Sequence, residues 1–139
     1  MLENYLPILL FLIVGFGLGI ILFAVGALIV CGVFFMNLHV AKKERTYQGS
    51  LPLVVYGAVT AAIIAVITLL HGAAVYVPTW LWSMNIGNID PEVYRMLWWG
   101  LGHSSQQINV AAMVSVWYLL AGLTVGGVVV NEKISRTAF

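Results

Sequence analysis

Residues 5–35 read YLPILLFLIVGFGLGIILFAVGALIVCGVFF and contain no charged side chain. A helix needs about 20 consecutive apolar residues to cross the hydrocarbon core of a bilayer, and this run is longer. A cleavable signal peptide would have a basic start and an apolar stretch of only about 7–15 residues. Here the first charged residue is Glu3, and no basic residue precedes the run. The stretch therefore predicts a transmembrane helix from about Leu6 to Phe34.

The composition of the whole chain agrees with a position in lipid. Of the 139 residues, 62% are hydrophobic and only 8% are charged, whereas a soluble domain carries about 25% charged residues. No basic run is long enough to suggest binding of nucleic acid. The single cysteine, Cys31, has no disulfide partner and belongs to no C-x-x-C pattern, so we expect a small buried or lipid-facing residue there.

Two further runs are long enough to span a bilayer, at about 51–79 and 91–130. The second run opens at Ser50-Leu51-Pro52, which predicts a serine cap with proline in the first turn. The third opens at Asp90-Pro91-Glu92, which predicts the same arrangement with an acidic side chain near the helix start. Because backbone polar groups in lipid must be paired within the segment, all three runs should be helical. We therefore predict an all-α integral membrane protein in which residues 1–139 form one segment with three transmembrane helices.

Small residues suggest that these helices pack closely with one another and with further helices. Gly15 and Gly19, and likewise Gly122 and Gly126, form G-x-x-x-G pairs, and a small-residue stripe follows the second span at Gly57, Ala61 and Ala65. Such faces let helix backbones approach closely in a membrane. The three sets together predict a bundle larger than three helices.

The basic residues predict the orientation in the membrane. The first loop and the carboxy-terminal tail hold most of them, namely Lys42, Lys43, Arg45, Lys133 and Arg136. The other side has only Arg95, between Asp90 and Glu92, and a cluster of interfacial aromatic residues formed by Trp80, Trp82, Tyr94, Trp98 and Trp99. The positive-inside rule therefore predicts an external amino terminus and a cytoplasmic carboxy terminus. We expect a multi-pass protein of the cell membrane.

A polar segment lies inside the third span, where residues 102–109 read GHSSQQIN. At 100° per residue His103, Gln107, Val114 and Tyr118 share one helix face, flanked by Gln106 and Thr124. Polar side chains in hydrocarbon are costly and face protein, water or a cofactor. A metal site, an axial haem ligand or a proton path would each fit this face, although a lone histidine is more often a hydrogen-bonded packing residue. His71 lies in the same half of the membrane and could approach His103, whereas His39 lies at the opposite end.

The stretch YRMLWWGLGH at residues 94–103 resembles the sixth transmembrane helix of subunit I in the haem-copper oxidase family, where a tryptophan-rich start precedes a Gly-His pair. The start LPLV at residues 51–54 is similar to the family's fifth helix, and the tail from Asn131 to Phe139 is similar to the loop before its seventh. The likeness is closest to the ba3-type branch. It implies that the chain covers the fourth to sixth helices, as a fragment or as one segment of a split subunit.

This resemblance implies specific roles for residues of the third span. His103 would be one of three histidines on the copper ion next to the high-spin haem. Gln107 occupies the position where oxygen-reducing members have a tyrosine, which makes the chain more similar to the nitric oxide reductases of the superfamily. Tyr118, with Ser115 near it, matches a position in the ba3-type proton-uptake path. The copper and haem would need ligands from outside this chain.

The expected partners are the remaining helices of subunit I, an electron-donor subunit and the lipid bilayer, with no nucleic acid. The alternative is a non-catalytic three-helix accessory or assembly subunit of a respiratory membrane complex, whose polar stripe only docks against a larger bundle. The first twenty residues are also similar to the start of a small subunit of respiratory complex I.

Overall fold

The computed structural model describes residues 5–46 and 49–139 and confirms the all-α class. It contains four helices in this part of the chain: α1 (Leu6–Lys43), α2 (Leu53–Ser83), α3 (Pro91–Val125) and α4 (Glu132–Ala138). The first three are long and apolar enough to cross a membrane. At 1.5 Å per residue, α1 is about 57 Å long and exceeds a hydrocarbon core of about 30 Å. The three predicted long apolar helices are therefore present.

The helix ends differ from the boundaries that hydropathy predicts. The first helix continues past Phe34 to Lys43, because no glycine or proline interrupts residues 35–43. The second continues past Thr79 to Ser83, with Pro78 inside the helix. The third ends at Val125 rather than near residue 130, because Gly126 adopts a left-handed conformation with φ of 62°. Glycine adopts this conformation without the steric cost of a Cβ atom.

The predicted cap at the start of α3 is confirmed, and the one at the start of α2 is not. The Asp90 carboxylate accepts hydrogen bonds from the N–H groups of Glu92 and Val93, at 2.8 and 3.2 Å. The second helix instead begins at Leu53, with Pro52 at the cap position and no side-chain cap. The Ser50 hydroxyl accepts a hydrogen bond from the guanidinium group of Arg136 at 2.9 Å, so it binds the carboxy-terminal tail instead of capping α2.

The core of the molecule lies between α2 and α3, and α1 and α4 each pack against α2. Along α3 the less exposed side chains recur every three or four residues, at Leu101, Ser104, Ile108, Ala111 and Ser115. This spacing is that of two helices crossing at a small angle. The facing residues of α2 are mostly small, and the buried ones are Leu53, Gly57, Ala61 and Val75. The predicted small-residue stripe at Gly57 and Ala61 is thus a packing face.

The other two glycine pairs have a different role. A Cβ atom added at Gly15 or Gly19 would meet no atom within 4 Å, so neither residue forms a close helix contact, although both border a cleft that Tyr76 of α2 also lines. Gly126 ends α3 and does not pack against a neighbouring helix. Cys31 is the one buried residue of α1, which agrees with the first of the two expectations, a small buried or lipid-facing residue.

The tail folds back to the end of the bundle where α1 and α2 are connected. Arg136 of α4 donates hydrogen bonds to the Ser50 hydroxyl and to the Leu51 carbonyl, at 2.9 and 2.8 Å. It also forms an ion pair with Glu132 at 2.7 Å. The first loop and the tail therefore lie at one end of the molecule, as their shared basic character predicts.

Candidate functional site on the third helix

The imidazole ring of His103 lies on the exposed side of α3. It stacks on the indole of Trp99, one turn earlier in the helix, with ring centroids 5.1 Å apart and planes at 19°. The ring borders a shallow cleft of about 210 Å³, whose lining also includes Trp98, Gly102 and Gln106. Stacking limits how far the ring can tilt, and its nitrogen atoms have no hydrogen-bond partner in the described part of the chain.

The polar side chains around His103 fall into two groups. The hydroxyls of Ser104 and Ser105 donate to carbonyl groups of their own helix, at 2.7 and 2.8 Å. Such bonds satisfy the hydroxyls without a partner helix. The second group consists of amide side chains that are exposed and have no hydrogen-bond partner among residues 5–46 and 49–139, namely those of Gln106, Gln107 and Asn109. These amides, with His103, form the unsatisfied polar face of α3.

Gln107 borders a cavity of about 140 Å³ that also reaches Tyr118. The two predicted site residues are therefore brought together, as their shared helix face predicts. The wall also includes Ile64 of α2 and three apolar residues of α3, and the tail contributes Ser135, Ala138 and Phe139. His103 does not line this cavity. It lies one helical turn from Gln107, towards the aromatic end.

Tyr118 contacts two residues of the carboxy-terminal tail, Ser135 and Phe139. Its phenol O–H donates to the Ser135 hydroxyl at 3.1 Å, and its ring lies 6.1 Å from the ring of Phe139. Sequence reasoning did not single out either tail residue. Their i, i+4 spacing would have placed them on one face of a helix, and Asn131 supplies the cap of that helix by accepting from the N–H of Ile134 at 3.1 Å.

Ser115 lies between α2 and α3 and is separate from the cavity. Its side chain is 3% exposed, and its hydroxyl donates to the carbonyl of Val54 at 2.6 Å. Within the described ranges, no hydrogen bond connects it to Tyr118. The geometry of Ser115 is that of an interhelical contact, formed where Gly57 lets the two helices approach.

His71 also contacts α3, at Gly100, a residue that the sequence did not indicate as a contact. Its Nδ1 lies 2.9 Å from the carbonyl oxygen of Ile67. Because a carbonyl oxygen only accepts, Nδ1 carries the hydrogen. The opposite edge of the ring packs on Gly100, where an added Cβ would lie 2.6 Å from the ring carbon Cδ2. His71 thus packs near the turn that precedes His103, but the two rings have different stacking or packing partners.

The residues that the structure describes do not by themselves form a metal centre. No three histidine, cysteine, aspartate or glutamate side chains come together in ranges 5–46 and 49–139, whereas a bound metal ion usually has three or four protein ligands. A metal ion at His103 would therefore need ligands from other helices.

No protein-family model, curated protein or solved structure matches this chain. The haem-copper resemblance therefore rests on the quoted residues alone.

Proposed function

We propose that this chain is part of the catalytic subunit of a membrane-bound haem-copper reductase, to which it contributes His103 as one copper ligand. The observation that carries the proposal is the unsatisfied polar face of α3, formed by His103, Gln106, Gln107 and Asn109. Polar side chains within a membrane almost always face a bundle interior or a water-filled cavity. Further helices and a cofactor at this face would satisfy these side chains.

His103 has suitable chemistry for copper. Imidazole is a favoured ligand of copper ions, and both ring nitrogens of His103 are without a hydrogen-bond partner in the described ranges. Stacking on Trp99 would restrain the ring orientation while a nitrogen binds. Copper would supply a redox-active ion beside the haem, and the remaining ligands of both would come from helices outside this chain.

Gln107 favours nitric oxide over oxygen as the substrate. Its amide can donate and accept hydrogen bonds, but it cannot supply the proton and electron that a phenol can give to cleavage of an O–O bond. Joining two nitric oxide molecules involves no such cleavage and consumes two electrons and two protons, giving nitrous oxide and water. We therefore place the chain with the nitric oxide reductases of the superfamily.

Tyr118 is the better supported of the two proposed proton-path residues. Its hydroxyl meets Ser135 near the basic end of the bundle, and the cavity extends from it to Gln107. The Ser115 hydroxyl instead donates a hydrogen bond to the Val54 carbonyl, which supports a packing role. We propose that protons pass Tyr118 and the cavity on the way to the polar face.

The test replaces His103 by alanine in the complete assembly. We expect loss of the copper ion, measured by elemental analysis of the purified assembly, because the remaining protein ligands would be too few. The spectrum of the low-spin haem should not change, since that haem is bound elsewhere. His39→Ala is the matched control, because His39 is an exposed histidine near the basic end of α1. We expect it to retain copper.

Full copper content in His103→Ala would contradict the proposal and favour the non-catalytic accessory subunit. The unaltered assembly also distinguishes the substrates when nitric oxide and oxygen consumption are measured with the same electron donor. Rapid reduction of oxygen to water with negligible nitric oxide turnover would contradict the nitric oxide reductase assignment. The haem-copper assignment would then remain.

A further inference from the structure

The basic end of the bundle concentrates positive charge on two segments that are distant in sequence. Five of the six lysine and arginine residues belong to the first loop and its flanks or to the tail. The hydrogen bonds from Arg136 to Ser50 and Leu51 hold the tail beside the start of α2. The connection between α1 and α2 is short, so the last turn of α1 lies at the same end.

Four of these cations are available to a partner, namely Lys42, Lys43, Arg45 and Lys133. All four are exposed, and none forms an ion pair within ranges 5–46 and 49–139. The exposed carboxylate of Glu44, between Lys43 and Arg45, offsets part of their charge. Arg136 differs from them because it is paired with Glu132. Arg95, at the opposite end, is likewise paired with Glu92 at 2.8 Å.

Exposed apolar side chains lie beside these cations. On α1, Met36 and Val40 are 59% and 41% exposed, and next to Lys133 the side chains of Val130 and Ile134 are 104% and 66% exposed. A soluble anion would leave these apolar side chains uncovered. A phospholipid would cover them with its acyl chains while its headgroup met the cations.

We infer that the basic end of this bundle, formed by Lys42, Lys43, Arg45 and Lys133, binds anionic phospholipid. This inference is independent of the proposed function, because it uses no residue of the polar face. Each lysine or arginine close to an anionic membrane surface strengthens binding about fivefold. Two such contacts already favour anionic over zwitterionic headgroups by more than about tenfold, so the four cations favour them at least as strongly even with Glu44 offsetting one charge.

The experiment measures which lipid copurifies with the full chain. The detergent-solubilised protein is incubated with equimolar phosphatidylglycerol and phosphatidylcholine, purified again, and its bound lipids are quantified by mass spectrometry. We expect phosphatidylglycerol to be enriched by about tenfold or more. The enrichment should be lost when all four residues are replaced by glutamine. It should persist in Arg95→Gln, which removes a basic residue from the other end.

A second measurement on the unaltered chain does not depend on how the variants fold. At about 1 M salt the Debye length falls to about 3 Å, so the enrichment should decrease strongly. Undiminished enrichment in high salt, or in the four-residue variant, would overturn the inference. Inorganic phosphate is also added at the same concentration as phosphatidylglycerol. Loss of the bound phosphatidylglycerol would overturn the inference, because the site would then recognise phosphate rather than lipid.

Discussion

α2 and α3 approach each other closely at Gly57, and the surrounding atoms leave no room for a side chain. A Cβ atom added there would lie 2.9 Å from the Cβ atom of Ser115 and 2.7 Å from the ring of Phe139. The phenyl ring could rotate away at little cost. The Ser115 Cβ is fixed to the backbone of α3, so the helices themselves would have to separate. The hydrogen bond from Ser115 to Val54 spans the same contact.

We therefore expect Gly57→Ala to destabilise the packing of α2 on α3 by about 1–3 kcal/mol, the usual cost of overfilling a well-packed interface. The measurement is the free energy of unfolding in mixed micelles. Gly72→Ala is the matched control in the same helix, because its nearest contact would be at 3.6 Å from Leu101. Both changes raise helix propensity equally. Equal free energies of unfolding of the two variants would contradict the prediction, because the helices would then accommodate a methyl group at Gly57 without loss of stability.

Single residues were predictable from the sequence where the determining partner is local. Asp90 caps α3 by bonding to residues two and three positions away. Gly57 and Ala61 could be proposed as a packing face because small residues at helical spacing let helix backbones approach, although the same signal at Gly15, Gly19 and Gly126 marked no close contact. Ser50 and Ser115 could not be assigned in this way. Their partners, Arg136 and Val54, are distant in sequence.

At the scale of elements, α4 is a helix of seven residues and is held by contacts with other segments. An isolated helix of this length is unstable in water. Its anchors are the two hydrogen bonds that Arg136 donates to Ser50 and Leu51 and the bond from Tyr118 to Ser135. The guanidinium group connects α4 with the residues that precede α2, so its loss should release the tail from the bundle.

We expect Arg136→Gln to increase amide hydrogen exchange across residues 131–139 by about tenfold or more, because hydrogen bonds to charged groups contribute about 1.5–3 kcal/mol. Mass spectrometry of the exchanged chain measures this directly. Lys133→Gln is the control, since Lys133 lies on the same helix and its side chain is exposed. Unchanged protection of the tail in Arg136→Gln would mean that Tyr118 and the apolar contacts of Phe139 hold α4 alone.

Hydropathy predicted that these helices exist but not where they end. It reports which residues favour lipid, whereas the hydrogen-bonded turns of α1 continue beyond the uncharged run to Lys43. The end of α3 follows instead from the backbone of Gly126, which the sequence analysis had interpreted as part of a packing pair. That Gln107 and Tyr118 line the same cavity was predictable, because both lie on one face of one helix. The wall that α4 adds to their cavity was not, since it needs the fold of the tail.

For the molecule as a whole, α1 presents an extended apolar surface. Large apolar side chains cover this helix, and Phe11 and Phe23 are each 76% exposed. The molecule therefore has two different exposed surfaces, the apolar surface of α1 and the unsatisfied polar face of α3. Lipid acyl chains can cover the apolar surface of α1, but they cannot form hydrogen bonds with Gln106 or Asn109. The polar face therefore favours protein, water or a cofactor as its partner.

The orientation of this molecule is tested by cysteine accessibility on a Cys31→Ala background, with single cysteines at Thr46 and Asn88. Thr46 lies in the basic first loop and Asn88 in the loop between α2 and α3, and both are exposed. Because basic loops remain in the cytoplasm, a membrane-impermeant maleimide should label position 88 in intact cells. Position 46 should react only after permeabilisation. The parent with Cys31 alone is the control, since its buried thiol should resist labelling in both conditions. Labelling of position 46 from outside would reverse the topology and place the basic end in the outer leaflet.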